Sequence, residues 1–202
     1  MNCIILGDQF KKGMKSKGCS GLIQVNRSIN IFQQQYDTLL RLYPRINIIY
    51  VYGYDAKKFI HFITKNHYIE KLTIIYNENN YDNHNSIQGL KLAHNFLNQD
   101  CLILSGDTII TKKTFNHFSK HKGSQVFLAG ASKKTELGCV LLSSKIEHIC
   151  YGLGNSLHDI YYISKKDIGD FKNLLLDSKK SNCFIFEIIN DLIDKNILFT
   201  TC

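Results

Sequence analysis

Three stretches of the sequence combine residue types suited to phosphate chemistry. The first is Gly7-Asp8-Gln9-Phe10-Lys11-Lys12-Gly13-Met14-Lys15-Ser16-Lys17-Gly18, which puts three glycines and four lysines just after an apolar run. Glycines let backbone amides approach phosphate oxygens, and lysines neutralise them. The stretch fits neither GxGxxG nor GxxxxGK[ST], so a solvated basic loop is the competing reading. The second is Asp107, a carboxylate closing the apolar run Cys101-Leu102-Ile103-Leu104. A carboxylate at a strand end can hold a hard divalent cation that bridges phosphate oxygens, or it can simply cap the turn that follows. The third is the polar stretch from Asn77 to Ser86, whose amides and hydroxyl can read a base, a sugar or another polar substrate by hydrogen bonds, or serve only as a loop.

The elements that must position these groups follow from patterning. Cys3 to Leu6, Ile46 to Val51, Leu72 to Tyr76 and Cys101 to Leu104 are apolar, β-branched or aromatic runs of strand length. Between them lie helical patterns. Ile29, Phe32, Tyr36, Leu39, Leu40 and Tyr43 recur at a spacing of three and four before Pro44, and Phe59, Ile60 and Ile63 share a face after Asp55, which is placed to cap. Asn85 is placed to cap the helix carrying Ile87, Leu90, Ala93 and Leu97. Beyond Asp107 the patterning predicts a short helix at 112–121, strands near 125–128, 138–142, 146–150 and 159–163, helices at 165–176 and 184–194, and a last strand at 197–200. The alternation of strand and helix with short links predicts a three-layer α/β/α sandwich with a mainly parallel sheet, as one domain over 1–202. In such a sheet, ligands gather beyond the carboxyl ends of the strands, where all three stretches lie.

Composition narrows the function classes. The chain has 202 residues and 25 Lys+Arg against 17 Asp+Glu, a net charge of +8 that favours an anionic partner. The basic residues form one cluster and scattered pairs rather than a long arm, so no nucleic acid is expected as a partner. The seven cysteines contain no CxxC pair, and neither a zinc site nor a secreted disulfide framework is expected. Apolar runs stop far short of the ~20 residues a membrane span needs, which leads to the expectation of a cytoplasmic protein with no membrane partner.

In order along the chain, these segments resemble the nucleotidyltransferases of the sugar-1-phosphate and choline-phosphate type, also called the MobA-like NTP transferase fold. Ile74-Ile75-Tyr76-Asn77-Glu78, then Tyr81, Asn85-Ser86, the helix after them and Leu104-Ser105-Gly106-Asp107 are similar to that family's YNxxY…N…S…(D/G)D pattern. Ile48 to Tyr54 resembles its second strand, ending in GY, and Glu187 to Leu198 resembles its late helix and strand. The sequence departs from the family where GxGxR and a Pro-Lys pair would stand. Cys19-Ser20 occupies the latter place, and a second metal-binding Asp on a strand beyond the late helix does not appear.

The resemblance implies a Rossmann-like nucleotide-diphospho-sugar transferase fold and transfer of a nucleoside monophosphate from a nucleoside triphosphate, such as CTP, to a phosphorylated small molecule. It further implies Mg²⁺ on Asp107, with Lys17 and Asp107 as the catalytic residues. Gly7, Lys11, Lys12, Gly13 and Lys15 would cradle the triphosphate, and Asn77, Tyr81, Asn85 and Ser86 would line the base or acceptor pocket. Two other readings stay open. A silent nucleotide-binding or assembly module would explain the missing motifs, and a nucleotide-sugar glycosyltransferase would use a strand-end carboxylate, although Ser105-Gly106-Asp107 supplies only one Asp of the usual DxD.

Overall fold

The structure is a computed structural model that describes residues 1–9, 15–78, 87–131 and 136–202. Its first half forms as the patterning predicts. Strands β1 (Asn2–Gly7), β2 (Asn47–Tyr52), β3 (Thr73–Tyr76) and β4 (Cys101–Ser105) lie side by side in the order β3-β2-β1-β4, all parallel. Between them run α1 (Ile31–Leu42), α2 (Ala56–Lys65) and α3 (Ile87–Leu92). Because a strand alternates its faces, Ile4, Leu6, Ile49, Val51 and Ile103 fall into one core, and Cys3, Ile5, Ile48, Tyr50, Leu102 and Leu104 into the other. Helices α1 and α2 cover the second core with Phe32, Tyr36, Leu39, Phe59 and Ile63. The first is covered by α3 together with α4 (Ile168–Leu176) and α5 (Ile185–Asp194). Helices therefore flank both faces of the sheet.

Its second half corrects the expectation of a mainly parallel sheet. The remaining strands are β5 (Ser124–Ala131), β6 (Leu137–Leu142), β7 (Lys145–Tyr151), β8 (Asn155–Ile163) and β9 (Phe199–Thr201). The full order is β3-β2-β1-β4-β8-β5-β9-β7-β6, with β8 antiparallel to both β4 and β5, and β6 antiparallel to β7 and β8. The sheet is mixed. The short link from β6 to β7 makes a hairpin, which forces antiparallel pairing. Two local expectations also change. The segment 112–121 holds 3-10 turns at Lys112–Phe115 and Lys120–Lys122 rather than a helix, and Phe115 and Phe118 both pack on Phe127 at ring-centroid distances of 5.4 and 5.6 Å. Asp55 does not cap α2 with its side chain. It sits in the left-handed region at φ 56° and its carboxylate pairs with Lys58 at 2.7 Å.

Helix α1 does carry a full capping box. Asn30 Oδ1 accepts from the Gln33 amide at 2.8 Å, and Gln33 Oε1 accepts from the Asn30 amide at 3.2 Å. The helix ends at Leu42, two residues before Pro44. Among the described residues no helix is long and apolar enough to cross a membrane. All seven cysteines are free thiols, and Cys3, Cys19, Cys101 and Cys139 are buried as small core residues.

Candidate functional site

Where β1 and β4 end, their backbones touch. The Gly106 amide donates to the Leu6 carbonyl at 2.8 Å, and a Cβ on Gly106 would lie 2.5 Å from the Gly7 Cα. Only glycine allows this approach. Gly7 is also fixed from the side, since a Cβ there would fall 2.1 Å from the Tyr50 hydroxyl oxygen. Gly21 meets the same hydroxyl from the other direction, at 2.3 Å for its own absent Cβ. Tyr50, fully buried on β2, is thus wedged between the end of β1 and the 3-10 turn Ser20–Leu22, and its hydroxyl has no hydrogen-bond partner among the described residues. Burial, with the nearby acidic groups of Cys19, Asp8 and Asp107, holds the phenol well above its ordinary pKa.

Asp107 follows directly. Its Oδ1 accepts from the Ser105 hydroxyl at 2.6 Å, which fixes the carboxylate at the carboxyl end of β4. The segment after it is held by α1. Gln35, fully buried, donates through Nε2 to the carbonyls of Ser105 and Thr108 at 2.9 and 2.8 Å, while the Ile110 amide donates to Gln34 Oε1 at 3.2 Å. A half-buried carboxylate on so constrained a backbone is positioned before any ligand arrives.

A second carboxylate, which sequence reasoning missed, lies one residue past β1. Asp8 is 0% exposed and accepts from Asn77 Nδ2 at 2.6 Å, while its Oδ1 has no hydrogen-bond partner among the described residues. It packs beneath α3, where a Cβ on Gly89 would lie 2.6 Å from Oδ2. Burial raises its pKa from 3.8 to about 6, with the Asn77 hydrogen bond opposing that rise. The surrounding backbone is tied as well: the Tyr54 amide donates to the Asp8 carbonyl at 2.9 Å, and the Asn77 amide to the Tyr52 carbonyl at 2.8 Å. Asp8 and Asn77 therefore link the ends of β1, β2 and β3. The signal in the sequence was Gly89, a glycine inside an apolar helical pattern, which marks close approach of another group.

Of the residues singled out from sequence, the structure gathers Gly7, Asn77 and Asp107 at the carboxyl ends of neighbouring strands. Asn77 is 1% exposed. Lys15 and Lys17 belong to a 3-10 turn, and Lys17 is exposed. Gly18 follows at φ +77°, with a Cβ excluded by Asp55 Oδ2 at 2.8 Å, so residues 18–21 lean on β2 and the start of α2. Cys19, in the place of the family's Pro-Lys, is buried, and burial pushes its thiol up to about 11. Lys11, Lys12, Gly13, Tyr81, Asn85 and Ser86 lie outside the described residues.

Comparison of the whole structure gives the matching architecture. The CTP:phosphocholine cytidylyltransferase of Streptococcus pneumoniae superposes with a TM-score of 0.78 at 16% identity, over 100% of this chain and 88% of that one. The chain has the nucleotidyltransferase fold. A nucleoside-diphosphate-sugar pyrophosphorylase of Vibrio cholerae also superposes, with a TM-score of 0.70 and 10% identity, over 98% and 90% of the two chains. The inositol-1-phosphate CTP transferase of T. maritima matches at 0.66 and 11%, over 99% and 84%. No family model matches the sequence, and no curated protein matches it. The fold therefore brings Gly7, Asn77 and Asp107 to one strand-end frame in a sequence that no family model matches.

That frame suits a magnesium ion of the kind substrate phosphates complete. Mg²⁺ keeps several waters and takes one or two carboxylates together with phosphate oxygens. Asp107, oriented by Ser105, offers one such carboxylate. Among the described residues no group of three or more His, Cys, Asp or Glu could hold a metal ion.

Proposed function

We propose that this chain is a nucleotidyltransferase that joins the nucleoside monophosphate of a nucleoside triphosphate, CTP in the first instance, to a phosphorylated small molecule. The observation that carries this reading is the end-to-end match to nucleotidyltransferase structures, with a fixed carboxylate at the carboxyl end of β4. A phosphate monoester oxygen of the acceptor attacks the α-phosphorus. A new P–O bond forms, the bond from the α-phosphorus to the β-phosphate bridge breaks, and pyrophosphate leaves with the electron pair. No covalent intermediate on the protein is needed, because positioning and charge neutralisation supply most of the catalysis in phosphoryl transfer.

Each part of the frame has a task in this reading. Asp107 would hold Mg²⁺, which when bound withdraws charge from the phosphate oxygens. Gly7, kept free of a side chain by Tyr50, leaves room for backbone approach at the end of β1. Lys17, with Lys11, Lys12 and Lys15, supplies the charge that cradles the triphosphate, and Gly13 lets backbone amides approach it. Tyr81, Asn85 and Ser86 line the base or acceptor pocket, and Asn77, held by Asp8 and the Tyr52 carbonyl, sets where that segment leaves β3. The chain works in the cytoplasm, where nucleoside triphosphates are available.

A panel of CTP, UTP, GTP, ATP and UDP-sugars in thermal shift, with and without Mg²⁺, tests the proposal. Stabilisation by one triphosphate that requires Mg²⁺ supports it, since a ligand at a hundred times its Kd adds about 2.7 kcal/mol. A response to UDP-sugars alone would assign the site to glycosyl transfer. No response to any nucleotide would leave a silent module.

A further inference from the structure

Strand β3 (Thr73–Tyr76) ends the sheet, and its outer edge has no strand partner among the described residues. Natural edges are usually blunted by lysine, proline, a bulge or an inward charge. Thr73-Ile74-Ile75-Tyr76 carries none of these, and its register with β2 is unbroken. Two large apolar residues are exposed around it, Ile69 just before the strand at 38% and Tyr76 at its end at 47%.

Alongside this edge runs a groove of about 580 Å³ between α2 and the ends of β2 and β3. Ala56, Ile60 and Thr64, spaced four apart, form one helical face of about 12 Å along the groove. The four-residue strand beside it is about 13 Å long, so groove and edge run for the same distance. At one end the Tyr76 ring stacks on Tyr52 with centroids 5.1 Å apart and planes at 24°, giving an aromatic wall.

The side chains lining the groove that can carry charge at neutral pH are basic. Lys57 and His61 line the groove and Lys65 lies on the next turn, while α2 contains no acidic residue from Ala56 to Lys65. Lys58 is occupied by Asp55 at 2.7 Å, and the nearby Glu70 faces His67 at 3.6 Å. Glu78, past the end of β3, is also exposed.

We propose that the β3 edge and the α2 groove bind an extended acidic segment of a partner protein, added as a further strand beside β3. Main-chain hydrogen bonds to the open edge give the affinity, as in other strand additions. Side chains of the segment that face α2 lay their stems on Ala56, Ile60 and Tyr76 and carry carboxylates to Lys57 and Lys65, while the alternate apolar side chains fall on the opposite face, beside Ile75. A second copy of this chain is the poorer occupant, because pairing two β3 edges brings two acid-free α2 helices together, and like charges facing each other oppose association. The groove lining includes none of the residues assigned to the triphosphate or the acceptor, so neither reading depends on the other.

The probe is a short labelled peptide of alternating glutamate and valine, set against its lysine–valine counterpart, with the full chain in fluorescence anisotropy. The glutamate peptide should bind at least about tenfold more tightly than the lysine peptide and weaken with salt. On binding, amide exchange at residues 73–76 should slow. Lys57→Glu with Lys65→Glu, both exposed positions, should reverse the preference while the melting temperature and triphosphate binding stay as in the wild type. Tyr76→Ser should weaken both peptides. Equal or absent binding of the two peptides would overturn the proposal. So would slow exchange at 73–76 without peptide, together with a dimer in sedimentation, which would give the edge to a second copy.

Discussion

Replacing Asp8 by asparagine isolates the energetic cost of a carboxylate buried without full partners. The folded state holds the Asp8 proton more tightly than the unfolded chain, with a pKa of about 6 against an ordinary 3.8. Between those values the folded state binds more protons than the unfolded one, so stability declines as pH rises through that window. It is greatest below about pH 3.8 as far as this group is concerned, and the loss is complete above about pH 6. A gap of about two pH units, at about 1.4 kcal/mol each, sets the loss at about 3 kcal/mol. Asp8→Asn keeps the shape and the acceptor for Asn77 Nδ2 but removes the charge. Because the pKa of about 6 already includes the Asn77 bond, the variant, neutral at every pH, should gain about 2–3 kcal/mol at pH 7.5. At pH 4 the two proteins should agree within about 0.5 kcal/mol. Urea unfolding of both at pH 4, 5, 6 and 7.5 measures this directly. A variant less stable than wild type at pH 7.5, or a difference that does not change with pH, would refute the reasoning and mean that the carboxylate is compensated.

Other substitutions probe the same frame. Tyr50→Phe removes a buried hydroxyl with no partner among the described residues, so thermal unfolding should show stability unchanged or raised by up to about 1 kcal/mol, and a loss larger than that would reveal an unrecognised bond. Gly106→Ala drives a methyl against the Gly7 backbone and should cost about 2–3 kcal/mol in denaturant unfolding; an unchanged midpoint would show that the two strand ends can separate. Asp107→Asn should weaken Mg²⁺-dependent triphosphate binding by at least about tenfold in calorimetry, with stability unchanged within about 0.5 kcal/mol; equal affinity would remove Asp107 from the site.

The sequence carried the first four strands because each is an apolar, β-branched or aromatic run closed by a turn residue, and their parallel order follows from the helices between them. It did not carry the position of β8. Inserting β8 between β4 and β5 pairs Cys101 with Ile163, sixty-two positions apart, and no local period records such a partner. Asp55 reads as a cap by residue type, yet its backbone turns left-handed and its carboxylate goes to Lys58. Asp107 could be singled out because an isolated carboxylate ending an apolar strand is unusual. Asp8 could not, since a carboxylate next to four lysines reads as solvated until the fold lays Gly89 across it. Asn77 was legible as a polar residue closing an apolar strand, but its bond to Asp8 joins positions 69 apart and belongs to the tertiary structure alone.

The central claim is a chemical one, and phosphorus NMR follows it whichever acceptor is used, because pyrophosphate is released in every case. Wild-type protein with Mg²⁺, one nucleoside triphosphate and one phosphorylated acceptor, choline phosphate or a hexose 1-phosphate first, should give pyrophosphate and a diphosphate-linked product in equal amounts. Both substrates and the metal should be required, and Asp107→Asn should slow the reaction by at least about a hundredfold. If triphosphate with Mg²⁺ binds the protein but no pairing with a phosphorylated acceptor yields pyrophosphate, nucleotidyl transfer is contradicted and the fold serves binding alone.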